Sequence, residues 1–289
     1  MEHKLSGKTI VVSGATAGIG RATAGHLMDM GAHVVGIGRS DGRCRETERA
    51  LRAAHPAGSI ELCLGDLALQ HNVRAAAAEI RRRLAARGVT ALDGLVNNAG
   101  AFTFWFTQTA EGFETQWAVN HLAGFLLTAE LLPLLRAAPW ARVVTVSSES
   151  HYNTRLNWDD IQLRRHYNSL LAYQQTKLAN VLFSVELNRR LGPKSSVRAF
   201  AVDPGLVRTD IGMKAGSGLA KWVWARRRAA GISPEESGRD VAYLVAEPSI
   251  QDSGEVYWKA RSPRKPSREA LDAGSAQRLW ALSEKMCGI

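Results

Sequence analysis

A tyrosine and a lysine four residues apart, Tyr173 and Lys177, lie within a helical pattern, so a phenol and an ammonium share one helix face. A free phenol has a pKa near 10, too high to move protons well at neutral pH. A cation about 5 Å away, at an effective dielectric of about 20, favours the phenolate by roughly 3 kcal/mol, or about two pKa units. Such a pair could donate and accept protons in the neutral range. Taken alone, however, the spacing is common on solvated helices that do no chemistry.

A second constellation stands near the start of the chain. Ser13-Gly14-Ala15-Thr16-Ala17-Gly18-Ile19-Gly20 directly follows a strand-like run and opens a helix. Gly14 suits a tight turn, Gly18 lets backbone approach a pyrophosphate, and Gly20 permits close helix–strand packing. The helix start offers free N–H groups and partial positive charge to phosphates. With that strand–turn–helix context, Ser13, Gly14, Thr16, Gly18, Ile19 and Gly20 form a candidate dinucleotide turn. After the second strand-like run comes Gly38-Arg39-Ser40, with no carboxylate until Asp41. An acidic residue there would hold a ribose 2′-hydroxyl, whereas Arg39 can grip a 2′-phosphate in forked geometry with Ser40 as a further donor. NADP(H) is therefore favoured over NAD(H). The competing reading leaves Arg39 as a solvated loop charge and lets Asp41 reach the ribose. Asp66 and Leu67, after the third run, could receive an adenine edge and face, or simply enter a helix.

In order and spacing, the glycine turn, Asn97-Asn98-Ala99-Gly100, Asn120, Ser147-Ser148, Tyr173…Lys177 and Pro204-Gly205…Thr209 resemble the short-chain dehydrogenase/reductase family, over roughly residues 5–260. The stretch from Tyr173 to Arg190 and the closing Leu279-Trp280-Ala281-Leu282-Ser283-Glu284-Lys285 look like its retinol dehydrogenase-like branch. The resemblance implies that Tyr173 is the general acid or base and that Lys177 binds the nicotinamide ribose and lowers the Tyr173 pKa. It further implies that Ser148 bonds the substrate oxygen and that Asn120 holds a proton-relaying water. Asn98, Ala99 and Gly100 would line the cofactor, and Pro204, Gly205, Val207 and Thr209 would hold its nicotinamide end. Strand alternation lets only one hydroxyl of the Ser147-Ser148 pair face the site, and the family pattern uses the second. Ser13 stands where the family more often has threonine; a hydroxyl is retained, so cofactor binding should survive. Assembly of family members through the helix carrying the tyrosine implies a homo-oligomer.

The elements that must position these groups read as alternating strands and helices, the pattern of βαβ units and a parallel sheet. Strand-like runs fall at 9–13, 33–37, 59–63, 94–96, 142–147, 197–202 and 255–258. Helical patterns fall at 19–30, 43–54, 71–86, 112–135, 170–191 and 234–246. The expected fold is α/β, a doubly wound Rossmann-type domain with a seven-stranded, mostly parallel sheet filling residues 1–289. Two segments break the alternation: a substrate-lid insert at 205–232 and a C-terminal extension at 259–289 with a helix near 279–286.

Loops at the carboxyl ends of the strands must set specificity. Phe102, Phe104, Tyr152, Trp158, Met213 and Trp222 could wall an apolar pocket for a bulky carbonyl or alcohol, or could equally anchor loops to the core. His151 and His166 read as surface loop histidines. The chain has 37 Lys+Arg against 27 Asp+Glu, a formal net charge of +10, which favours anionic partners. No nucleic-acid reading motif accompanies that charge, so nucleic-acid binding is not expected. Arg226-Arg227-Arg228 beside Trp222 and Trp224 reads as a solvated lid face ahead of a lipid-touching helix. Cys44, Cys63 and Cys287 have neither disulfide nor zinc spacing, so no metal is expected and a reducing, cytoplasmic setting fits. No run of about 18 uninterrupted apolar residues suggests a transmembrane segment. The leading function is an NADPH-dependent carbonyl reductase or alcohol dehydrogenase. The alternatives are a non-catalytic dinucleotide sensor and a ketoreductase acting on carrier-tethered intermediates.

Overall fold

The computed structural model describes residues 4–208 and 231–289. The strands are β1 (Thr9–Ser13), β2 (His33–Gly38), β3 (Ser59–Leu64), β4 (Gly94–Asn97), β5 (Ala141–Val146), β6 (Val197–Asp203), β7 (Tyr257–Lys259) and β8 (Ser262–Pro263). They form one sheet in the order β3-β2-β1-β4-β5-β6-β7-β8. All neighbours are parallel except β7 and β8, so the expected seven strands gain a two-residue antiparallel eighth. The order reverses beside β1, where β4 leaves on the side opposite β2. A crevice at the carboxyl ends of the strands follows from that reversal.

The helices α1 (Gly18–Asp29), α2 (Asp41–Ala54), α3 (Gln70–Ala86), α4 (Thr115–Ala137), α5 (Ser169–Leu191), α6 (Pro234–Ala246) and α7 (Ala273–Cys287) cover both faces. Strand residues alternate between two apolar clusters, as the period of 2 requires. Val11, Leu95, Val143 and Ala199 pack with residues of α3, α4, α5 and α7. Ile10, Val12, Val96, Val144 and Phe200 pack with residues of α1, α2 and α6. Runs apolar at consecutive positions are thus explained by burial on both sides.

Three differences from the sequence reading have local causes. The helix expected from residue 112 begins at Thr115, because Gly112 takes φ +81° and Glu114 then caps the first turn, accepting from Gln116 N at 3.0 Å and Trp117 N at 2.7 Å. Within α4, Ala118–Leu122 widens into a π-turn, a feature that recurs at functional sites. The C-terminal helix is longer than its apolar tail suggests, starting where the Asp272 carboxylate accepts from Ser275 N at 2.7 Å. The Thr115–Ala137 stretch is long and apolar enough to span a bilayer, yet much of it, from Trp117 to Leu135, is core in this fold.

Candidate active site

The glycine turn is built before any ligand is considered. At the end of β1 the Ser13 hydroxyl donates to Val96 O (3.2 Å) and accepts from Asn98 N (2.9 Å) and Ala99 N (3.0 Å). The Asn98 amide returns a bond to Ser13 O at 2.9 Å. The retained hydroxyl at Ser13 therefore latches the turn to the loop after β4. Gly14 and Gly18 adopt φ of +68° and +51°, and a side chain at Gly20 would run into the Asn98 amide and the Gly14 carbonyl. α1 starts at Gly18 with no side-chain cap from Ala17, leaving its first N–H groups to face a phosphate. Thr16 lies partly buried over Gly38, and Ile19 packs partly against the apolar cluster beneath. This cradle fits a dinucleotide pyrophosphate.

At the end of β2, Arg39 is exposed, with no ion-pair partner among the described residues, and Ser40 precedes α2 without spending its hydroxyl on the cap. Asp41 is already paired with Arg45 one helical turn on, so the carboxylate that could have reached a ribose is engaged. Asp66 is exposed and accepts from Ala68 N at 3.2 Å, opening the turn into α3. Leu67 is 8% exposed and part of the core, so it floors this region and does not lie open as an adenine face. Gly100 is exposed beside Asn98 and Ala99. Pro204 and Gly205 follow β6, Gly205 with φ +77° and its N–H on Asp203 Oδ1 at 3.0 Å. Val207 bridges to Ile232 and closes the base of the insert. Thr209, Met213, Trp222, Trp224 and Arg226 to Arg228 lie outside the described residues.

The chemical residues converge from three elements. Ser147 is buried and its hydroxyl donates to Lys177 O at 2.8 Å, whereas the Ser148 side chain lies near enough to the Tyr173 phenol to act on its pKa. The second serine of the pair is thus the one facing the site. Lys177 is 4% exposed and its ammonium donates to Val146 O at 3.0 Å, with Nζ 5.4 Å from the centre of the Tyr173 ring. Asn120, in the π-turn, clamps Ala101 at two points, accepting from its N–H (2.7 Å) and donating to its carbonyl (3.0 Å). Its amide also donates to the Thr176 hydroxyl (3.1 Å), which in turn donates to Tyr173 O (2.7 Å). The Asn120 side chain thus ties the loop after β4 to the tyrosine helix.

Burial of the Tyr173 phenol pushes its pKa up to about 12, with the Ser148 side chain opposing and the Asp203 charge adding to the rise. Burial also lowers Lys177 to about 8, against the opposing attraction of Asp203. Removing both groups from water costs more than their mutual geometry returns.

The pocket residues divide. Phe102 meets the Tyr173 ring edge-on at 5.7 Å and Phe104 at 5.2 Å, so an aromatic wall does adjoin the phenol. Trp158 does not belong to it: the indole packs against the core with the Arg278 guanidinium 4.4 Å over its ring, pinning α7. Tyr152 is no apolar wall either. Its hydroxyl donates to Lys265 O at 2.6 Å, and its ring borders a polar cavity with Asp203 and Lys259.

Sequence reasoning missed five residues beside the site: His151, Asp203, Lys259, Glu149 and Tyr257. His151 is fully buried; its Nδ1 donates to Ser148 O at 2.8 Å and its Nε2 accepts from Ser267 N at 3.1 Å, and burial lowers its pKa. A lone loop histidine carries no signal for that role. Asp203, 2% exposed, pairs with Lys259 at 3.1 Å, and Lys259 reaches Glu149 at 3.0 Å. Tyr257, beside them on β7, is 1% exposed. The strand ends could have flagged Asp203, but the pairing is set by sheet order alone. Among the described residues no cluster has the makings of a metal site, and the three cysteines are free and buried.

Comparison with known proteins places this geometry. The family model for short chain dehydrogenases matches residues 8–220. Retinol dehydrogenase 14 of Mus musculus is 34% identical, with 99% of this chain and 87% of that protein covered. Polyprenol dehydrogenase of Mus musculus is 35% identical, over 98% of this chain and 84% of that one. Among solved structures, an uncharacterized protein from Mycobacterium paratuberculosis superposes with a TM-score of 0.75 at 34% identity, covering 98% of this chain and 94% of its own. A metagenomic short-chain oxidoreductase in complex with NADP superposes with a TM-score of 0.65 at 27% identity, over 89% and 97%. With the glycine turn and the serine, tyrosine and lysine in their places, this chain is a nicotinamide-dependent oxidoreductase of the short-chain dehydrogenase/reductase family, in its retinol dehydrogenase-like branch.

Proposed function

We propose that the protein interconverts a carbonyl and an alcohol on a bulky, largely apolar small molecule, using NADP(H) in preference to NAD(H). The observation that carries this reading is the Tyr173 phenol with the Ser148 side chain acting on it and the Lys177 ammonium 5.4 Å from its ring centre, walled by Phe102, which Phe104 backs in turn. The dinucleotide would lie from Arg39 across the glycine turn toward Gly205, and when bound it supplies or accepts the hydride. Ser148 and Tyr173 hold the substrate oxygen between two hydroxyls. Tyr173, protonated across the neutral range, donates its proton to that oxygen as charge develops during reduction, and takes it back in oxidation. Lys177, held by Val146 O, presents cationic charge beside the phenol. Asn120 keeps the Phe102 loop and the tyrosine helix in register through Ala101 and Thr176.

The preference for NADP(H) rests on Arg39, without an ion-pair partner among the described residues, and on the engaged Asp41, and the NADP complex of the metagenomic relative accords with it. The apolar substrate accords with the aromatic wall and with relatives named for retinol and polyprenol. Oxidation of NADPH against hydrophobic ketones and aldehydes, and reduction of NADP against the matching alcohols, tests the reading. Tyr173→Phe should lower turnover by roughly 10²–10⁴-fold while dinucleotide binding persists. Undiminished turnover in that variant removes the proton role.

A further inference from the structure

We infer that the polar cavity beside Ser148 is a second recognition point for the substrate and receives an uncharged oxygen function, a hydroxyl or a carbonyl, remote from the reacting carbon. The inference rests on the proposed carbonyl–alcohol chemistry and adds a polar end to the apolar substrate.

The cavity is about 270 Å³ and is lined by Glu149, Tyr152, Asp203, Tyr257, Lys259 and Arg264. It adjoins the reacting groups by three routes. Glu149 follows Ser148 in the chain. His151, which holds the Ser148 carbonyl, packs its ring on Tyr152 at 4.1 Å and on Tyr257 at 4.6 Å. The charge of Asp203 is close enough to raise the pKa of both Tyr173 and Lys177. On the proposed chemistry, a substrate whose oxygen sits between Ser148 and Tyr173 extends its body toward this cavity.

The lining specifies the chemistry. Lys259 is shared between Asp203 and Glu149 at 3.1 and 3.0 Å, so those three groups carry one net negative charge. Arg264, exposed and with no side-chain partner among the described residues, brings the total to zero. An incoming carboxylate would meet the buried Asp203 carboxylate, and an ammonium would meet Lys259 and Arg264. A hydrocarbon would strip water from four charges and give nothing in return. Within the same wall the Tyr257 hydroxyl is buried and has no hydrogen-bond partner among the described residues. Burial and the nearby Asp203 charge raise its pKa, so it stays a donor at every working pH. A neutral oxygen that accepts from a phenol or guanidinium, or donates to a carboxylate, meets these demands without unbalancing the charges.

The test uses matched bicyclic ketones: a hydrocarbon parent, counterparts with one hydroxyl walked along the far ring, and a far-ring carboxylate. The readout is the ratio of kcat/KM for each substituted ketone to that of the parent, so a general loss of activity in a variant cancels. The wild-type enzyme should favour one hydroxylated isomer by tenfold or more, and Tyr257→Phe and Arg264→Met should each cut that preference at least threefold. Equal efficiency across the set, preference for the parent or the carboxylate, or an unchanged ratio in both variants overturns the subsite while leaving the carbonyl–alcohol chemistry standing. No turnover of any member with either nicotinamide cofactor would instead overturn the chemistry, and the subsite with it.

Discussion

Acid should loosen the clamp between the π-turn that carries Asn120 and the C-terminal helix, and His121 is the group that reports it. Its side chain lies at the centre of the clamp, 2% exposed, with the Trp117 ring 4.9 Å away and Nε2 2.8 Å from the Ser283 hydroxyl of α7. Burial holds its pKa down to about 4, against an ordinary 6.5. Below pH 6.5 the unfolded chain takes up a proton that the folded chain refuses until about pH 4. The stabilisation is therefore fully present above pH 6.5 and is lost as pH falls through that window. Linkage across it amounts to about 2 kcal/mol lost at pH 5 relative to pH 8. His33 and His151, also pushed down by burial, tilt the whole-protein curve the same way, so the comparison needs a variant. His121→Gln can still bond Ser283 but cannot titrate. Urea unfolding of both proteins at pH 8, 6.5 and 5 should show the stability gap moving by about 2 kcal/mol in favour of the variant, with m unchanged. A gap constant to within about 0.5 kcal/mol refutes the reasoning, because the proton would then bind elsewhere or the site would already be wet.

Other perturbations have equally direct readouts. Arg39→Ala removes a charge-assisted grip worth about 1.5–3 kcal/mol, so the NADPH KM should rise roughly 10- to 100-fold with the NADH KM little changed; equal effects on both would return Arg39 to the solvent. Gly20→Ala forces a methyl against the Asn98 amide and the Gly14 carbonyl, and should cost about 1–3 kcal/mol with weakened dinucleotide affinity by calorimetry. Trp280, stacked on Phe183 at 11° and 5.9 Å and covered by Arg190, holds α7 to the tyrosine helix. Trp280→Ala should lower stability by about 2–3 kcal/mol, less than a full core indole because it is half-buried, as read by denaturant midpoint. With the Tyr173 phenol pushed up to about 12, carbonyl reduction should hold steady between pH 6 and 8 while alcohol oxidation climbs with pH; a falling oxidation rate above pH 8 would contradict that protonation state.

Much of the site was legible because its parts are local. Gly14 and Gly18 announce a turn at positive φ that glycine favours, Gly20 leaves the room that Asn98 and Gly14 take up, and Tyr173 and Lys177 share a face through helix period alone. Strand alternation lets only one of Ser147 and Ser148 face the site and the family resemblance picks the second; Ser147 is turned away onto Lys177 O. Trp158 and Tyr152 were misjudged for a common reason. An aromatic after a strand can face a cleft or the core, and which it does depends on elements arriving from over a hundred residues later, α7 and the stretch around Lys265.

The alternation of strand and helix patterns, the dinucleotide turn and the acid–base pair are properties of short segments, set by dihedral preference and periodicity, and the chain carries them in its order of residues. The protonation energetics are not. How far burial raises the Tyr173 pKa and lowers that of Lys177 depends on how much water both groups lose as β5, β6 and α5 close around them. The same holds for the Asp203–Lys259 pair, which meets because β6 lies beside β7, and for the bond from Ser267 N to His151, which the chain brings together from 116 residues apart. Electrostatic and desolvation terms act through space between residues far apart in the chain, so folding had to bring them together before their sign was fixed.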